Sequence, residues 1–132
     1  MKTKVEKQRK RELGTAYAQS FRRMGIYQIK NVENGKILVL GTMDLEGAKN
    51  RLAFMQQTNM NTVFELQQDW NKYGGSSFAY EELDTIKPRE EHLNDRSELK
   101  KYQAEVDALL ELWLEKLQPY DEAGYNRRPR AN

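Results

Sequence analysis

Few side chains in this sequence have chemistry to offer. There is no cysteine, so thiolate catalysis, disulfides and cysteine-based zinc sites are excluded. The single histidine, His92, stands in a charged stretch and reads as surface decoration. What remains is cationic and acidic. Lys2, Lys4, Lys7, Arg9, Lys10 and Arg11 crowd the N-terminus. Arg51 lies beside an apolar helical stripe, where a long cationic side chain can reach the preceding strands. Glu111 and Glu115 sit at i,i+4 near the other end of the chain, which reads as a solvated acidic face. Cations of this kind suit phosphate oxygens, and a basic run suits a nucleic acid backbone.

Charge is partitioned along the chain. Residues 1–24 hold 8 Lys/Arg against 2 acids, residues 25–80 hold 5 of each, residues 81–126 hold 6 against 13, and residues 127–132 hold 3 against none. Two readings stand side by side. Basic ends can balance an acidic middle within the molecule, or they can meet nucleic acid. The N-terminal run is likewise either an arm on phosphate or a solubilising tail. The 132 residues suit one domain, and a chain of this size buries roughly 68% of its unfolded surface. No apolar run approaches ~18 residues, so no membrane-spanning segment is expected. The basic N-terminus lacks the apolar run of a secretory signal, and the cytoplasm is the expected compartment.

The elements that must position these groups begin with a hairpin. Met24-Gly25-Ile26-Tyr27-Gln28-Ile29-Lys30-Asn31 and Ile37-Leu38-Val39-Leu40-Gly41-Thr42 have strand composition. Asn34-Gly35 between them predicts a type I′ turn, which needs φ > 0 at both central residues. Gly25 and Gly41 mark close backbone approach. Asp44 is a helix N-cap, and Leu45, Ala48, Leu52 and Met55 make the apolar stripe of a helix over residues 45–57. Val63, Leu66, Trp70 and Tyr73 repeat that stripe, with Gly74-Gly75 ending the second helix. Trp70 and Tyr73 read as packing residues. Residues 77–86 are a third strand, with Phe78, Tyr80 and Ile86 on one face and Leu83 on the other. Residues 88–98 form a charged connector. Leu99, Tyr102, Val106, Leu109, Leu110, Trp113, Leu114 and Leu117 define a long amphipathic helix that stops before Pro119.

Four pieces of this pattern resemble the GIY-YIG nuclease family. They are Gly25-Ile26-Tyr27 with its Asn31…Asn34-Gly35-Lys36 turn, the Leu66-Gln67…Trp70…Tyr73-Gly74 helix, the Trp113-to-Tyr120 segment, and Gly124-Tyr125-Asn126. The likeness spans residues 24–126, flanked by a basic arm, 1–23, and a basic tail, 127–132. It implies an α+β fold, a small three-stranded antiparallel sheet flanked by helices. It also implies a catalytic role for Tyr27 and Arg51, the first on a proton and the second on the scissile phosphate, with Mg²⁺ or Mn²⁺ as cofactor in an active enzyme.

Two departures qualify that activity. The second signature reads Val39-Leu40-Gly41, so its tyrosine position holds a residue without a hydroxyl. The metal-binding glutamate position falls on Leu110, with Glu111 about 100° further round the helix. No metal ligand is therefore assigned. Lys30, Lys36 and Arg51, with Lys7, Arg9, Lys10 and Arg11 of the arm, are the expected DNA contacts. The expectation is a nuclease-fold, DNA-interacting protein with impaired or lost metal-dependent cleavage. Its alternatives are an active endonuclease using Tyr27, Arg51 and a repositioned Glu111, and a protein-interaction module with no nucleic acid role.

Overall fold

Strands β1 (Met24–Asn31) and β2 (Ile37–Thr42) form the expected antiparallel hairpin, with Tyr27 opposite Leu40 and Gln28 opposite Val39. The computed structural model describes residues 22–89 and 96–129. Most of the N-terminal basic run, including Lys7, Arg9, Lys10 and Arg11, lies outside the described residues, as does His92. Helix α1 (Leu45–Thr58) follows, then a 3₁₀ turn (Phe64–Leu66), α2 (Gln67–Tyr73), a second 3₁₀ turn (Gly75–Ser77) and β3 (Phe78–Ile86). A third 3₁₀ turn (Arg96–Glu98) leads into α3 (Leu99–Leu117). The sheet order is β2-β1-β3, all antiparallel, and the architecture is α+β as the sequence pattern implies.

The hairpin connection differs from a type I′ turn. Only Gly35 has a positive φ there, 78°, and Asn34 does not. The loop is longer than two residues: Asn31 N–H donates to the Lys36 carbonyl at 2.9 Å, and Gly35 N–H donates to the Asn31 carbonyl at 2.7 Å. Side-chain amides hold it. Asn31 Oδ1 accepts from Glu33 N–H and Asn34 Oδ1 from Lys36 N–H. Such local bonds offer the backbone an alternative to the tight turn.

Because β1 is the middle strand, alternate residues of it enter two separate cores. Tyr27 and Ile29 join Leu38, Leu45, Ala48, Leu52, Met55, Leu66, Trp70 and Phe78 under α1 and α2. Met24 and Ile26 join Val39, Tyr102 and Val106 under α3. Asp44 caps α1 as expected, its Oδ1 accepting from Gly47 N–H at 3.0 Å. Trp70 stacks on Phe78, ring centroids 5.2 Å apart, which bears out its packing role. The expected second helix is in two parts, because residues 64–66 wind as a 3₁₀ turn before α2 begins.

β3 carries a bulge that its imperfect alternation does not reveal. Ile26 pairs with Asp84 but Tyr27 pairs with Glu82, leaving Leu83 as the extra residue. The extra residue inverts the parity of the strand. Phe78 and Tyr80 stay with the Tyr27 core, while both Leu83 and Ile86 pack in the Ile26 core. Ile86 therefore does not share a face with Phe78 and Tyr80.

The outer edge of β2 is closed by the chain's own C-terminal segment. Ile37 N–H donates to the Ala123 carbonyl, and Tyr125 N–H donates to the Ile37 carbonyl. The Asn126 side chain imitates a strand: its Oδ1 accepts from Val39 N–H and its Nδ2 donates to the Val39 carbonyl, each at 2.8 Å. Gly124 sits so close to the Pro119 and Ile37 carbonyls that a side chain there would overlap them. Replacing Asn126 by alanine strips two bonds from a half-buried edge. Asn126→Ala is expected to cost about 1–3 kcal/mol, read as a lower urea midpoint with an unchanged m-value.

Candidate active site

Tyr27 sits on the face of the sheet covered by α1. Its ring is buried, with 6% exposure, against Tyr80 on β3 at a centroid distance of 5.3 Å. The hydroxyl reaches solvent. Among the described residues no buried side-chain oxygen or nitrogen lacks a hydrogen-bond partner, and the Tyr27 hydroxyl has no such partner. Burial pushes its pKa up, and the Arg51 charge opposes that rise. A phenol held this way stays protonated at neutral pH. It can donate a hydrogen bond and cannot act as a ready base.

Arg51 stands on the exposed flank of α1. It makes no hydrogen bond or ion pair among the described residues. Its charge is felt at Tyr27 and Asp44. The side of α1 turned to the sheet is Leu45, Ala48, Leu52 and Met55, with no oxygen or nitrogen in any of these side chains.

The structure places Val39 on the other face. It pairs with Gln28, and it is fully buried with Ile26 and Val106 under α3. A tyrosine at position 39 would point away from Tyr27. The β2 residues that share the face of Tyr27 are Leu38 and Leu40, and neither offers a hydroxyl. One residue of register decides this, because side chains alternate across a strand. Leu110 packs in the α3 core, its Cβ within 3.7 Å of where a side chain at Gly41 would begin. Glu111 is exposed.

The carboxylates at this end of the sheet come from β3 and the start of α1. Glu82 pairs with Tyr27 across the sheet, and Asp44 and Glu46 open α1. All three already hold cations. Arg23 donates to both oxygens of Glu82 at 3.0 and 2.9 Å and to Glu46 at 2.7 Å. Arg22 donates to Asp44 at 2.7 Å. The Arg23 hydrogen bonds hold the Glu82 carboxyl below the usual carboxylate range. Burial pushes the Asp44 carboxyl up, but Gly47 N–H and Arg22 together outweigh it and hold it below that range. The Tyr80 hydroxyl donates to the Leu45 carbonyl at 3.0 Å and lies 3.2 Å from Glu82 Oε2.

Mg²⁺ or Mn²⁺ needs several free carboxylate or carbonyl oxygens around one point. Leu110 supplies none, and Asp44, Glu46 and Glu82 are engaged by guanidinium groups. Among the described residues no three acids or histidines gather to hold a metal ion. These residues do not fit a divalent cation beside Tyr27.

Lys30 and Lys36, the other expected DNA contacts among the described residues, lie away from the Tyr27 phenol. Lys30 pairs with Ile37 on the α3 face. Lys36 lies at the hairpin end with its Nζ 4.7 Å from the Tyr125 ring centroid. The Tyr125 hydroxyl donates to Asp69 at 2.6 Å and accepts from Asn31, tying the loop to α2. The arginine cluster, Tyr80 and Glu82 have no sequence signal that marks them as neighbours of Tyr27. Arg22 and Arg23 merge into the basic run, and the position of Glu82 depends on the bulge.

The fold is similar to the catalytic domain of the homing endonuclease I-TevI, a GIY-YIG enzyme, at 25% identity over 80% of this chain and 99% of that domain, with a TM-score of 0.56. A point mutant of the same intron endonuclease domain matches at 25% identity over 79% of this chain and 92% of its own, also with a TM-score of 0.56. No family model and no curated protein matches the sequence. The chain thus has a GIY-YIG-type fold.

The proximity of Arg51 to Tyr27 has a direct readout. In Arg51→Gln the Tyr27 phenol loses a nearby positive charge, so its titration moves to higher pH. NMR of ring-labelled tyrosine follows it, and an unmoved Tyr27 titration would place Arg51 out of range. Because the folded pKa of Tyr27 is above the ordinary 10.0, its stabilising effect is complete below pH 10 and is lost as pH rises through the folded value. Urea midpoints measured above pH 10 should therefore fall less steeply with pH in Tyr27→Phe than in the unsubstituted protein.

Proposed function

We propose that this chain is a nuclease-fold, DNA-binding protein in which metal-dependent phosphodiester cleavage is lost. The observation that carries this reading is the surroundings of Tyr27. Hydrolysis needs an activated nucleophile, a cation for the charge growing on the phosphate oxygens, and help for the leaving oxygen. Tyr27 keeps a phenol at the solvent edge, and Arg51 keeps a guanidinium near it. Leu38, Leu40, Ala48 and Leu52 on that face are hydrocarbon, and the Tyr80 hydroxyl beside them is already bonded to the Leu45 carbonyl and Glu82. The nearby carboxylates are neutralised by Arg22 and Arg23. A neutral phenol and one arginine can bind a phosphate, but they do not activate water.

Binding to DNA is supported by the likeness to endonuclease catalytic domains, by the exposed Arg51, and by the basic ends of the sequence. Phosphate contacts of this sort release counterions and make affinity fall steeply with salt. Lys30, on the opposite face, would contribute only where DNA wraps the sheet edge.

Two measurements test the proposal. Supercoiled plasmid incubated with the protein and Mg²⁺ or Mn²⁺ should stay intact. Nicking that Tyr27→Phe and Glu111→Ala each abolish would establish the active endonuclease instead. Duplex binding should weaken with salt, and removal of residues 1–11 should flatten the slope by about 0.9 for every phosphate that the arm neutralises. The absence of any mobility shift with duplex, branched or single-stranded DNA at low salt would leave the protein-interaction reading.

A further inference from the structure

We infer that the outer face of α1 is a site for an unpaired base and its phosphate, with Phe54 as the stacking platform and Arg51 as the phosphate contact. The inference rests on the DNA-binding reading above and specifies the kind of DNA bound.

Phe54 falls outside the buried stripe of α1, and its side chain is turned to solvent, with 63% exposure. The other highly exposed phenylalanine among the described residues, Phe64, has Arg127 Cζ 5.6 Å from its ring centroid, and that arginine is itself 3.9 Å from Glu65. Lys36, Lys72, Lys116 and Arg128 each lie over a further aromatic ring. Phe54 has neither a cation nor a second ring against it among the described residues. The solvent side of its ring is therefore available to a planar ligand.

Arg51 is three residues earlier on the same helix. Side chains at i,i+3 are neighbours, with Cβ atoms about 5–6 Å apart. An open aromatic ring and an uncommitted guanidinium thus stand side by side. The charge of the helix suits an anion: α1 carries Lys49 and Arg51 against one acid, Glu46, which Arg23 already holds. A cation beside an exposed ring is the pairing that single-stranded nucleic acid requires, since the backbone is anionic and every base has a stacking face. A base inside a duplex is stacked on its neighbours and cannot present that face to Phe54. The site therefore selects single-stranded or locally unpaired DNA over continuous duplex. Arg51 also lies within electrostatic reach of the Tyr27 phenol.

The test uses the full chain and fluorescein-labelled oligothymidine, followed by anisotropy, with a duplex of equal length as the reference. Phe54→Ala is expected to weaken single-strand binding by roughly five- to a hundredfold, the factor that one stacked base supplies. Duplex affinity should stay within about twofold, because that affinity comes from phosphate contacts. Phe54→Tyr should restore single-strand binding, which a mere loss of packing would not predict. Arg51→Gln should weaken both ligands and reduce the salt slope. Single-strand affinity unchanged by Phe54→Ala would overturn this inference and leave the DNA-binding reading intact. Failure of the unsubstituted protein to bind either ligand at low salt would overturn both.

Discussion

Strand β1 is shared between two cores, and its alternation decides what each face can do. Its buried residues point in turn towards α1 and towards α3. Every group that could act with Tyr27 must reach the α1 face. A residue one step out of phase on β2 or β3 is delivered to the α3 core instead. The arrangement is held in register by three features: the paired strands, the bulge at Leu83, and the C-terminal segment bound to the edge of β2. Glycines serve the same end. Gly25 lies where a side chain would run into the Asp84 carbonyl, and Gly41 lets the Val106 side chain of α3 press against β2.

That phase rule accounts for the character of the Tyr27 pocket. Leu38 and Leu40 are the β2 residues on the face of the phenol, and Ala48 and Leu52 of α1 pack in the same core. Burial against these groups raises the phenol's pKa, so the same hydrocarbon that stabilises the core also keeps the hydroxyl protonated. At the rim, Arg23 bridges Glu46 and Glu82 and links α1 to β3. These pairs are largely exposed, and exposed ion pairs contribute little stability. Their consequence is chemical: Glu46 and Glu82 already hold a protein cation.

Much of the fold is legible in the sequence because its signals are local. Asp44 followed by the 45/48/52/55 stripe marks α1, and the stripe ending before Pro119 marks α3, each close to its observed limits. Gly25-Ile26-Tyr27 marks the central strand. The features that stay hidden are those set by register. Asn34-Gly35 has the composition of a two-residue turn, but side-chain bonds from Asn31 and Asn34 favour a longer loop. The bulge at Leu83 has no local marker, so simple alternation puts Ile86 on the wrong face. Val39 likewise aligns with the second signature in sequence, whereas Leu38 and Leu40 occupy the face of Tyr27. The Asn126 bonds to Val39 span 87 residues, and no short-range pattern predicts them.

The proposed loss of cleavage rests on one property of the Tyr27 face: its carboxylate, Glu82, is held by Arg23, and Leu38 and Leu40 add no oxygen for a divalent cation. Paramagnetic broadening by Mn²⁺ tests this without any substrate. Titrated with Mn²⁺ at low ionic strength, the Tyr27 and Tyr80 ring signals should broaden no more than those of tyrosines on the far side of the sheet, with no saturation near one equivalent. Selective loss of the Tyr27 signal at stoichiometric Mn²⁺ would show that an acid reaches that pocket, and the phenol would then stand beside a working metal site.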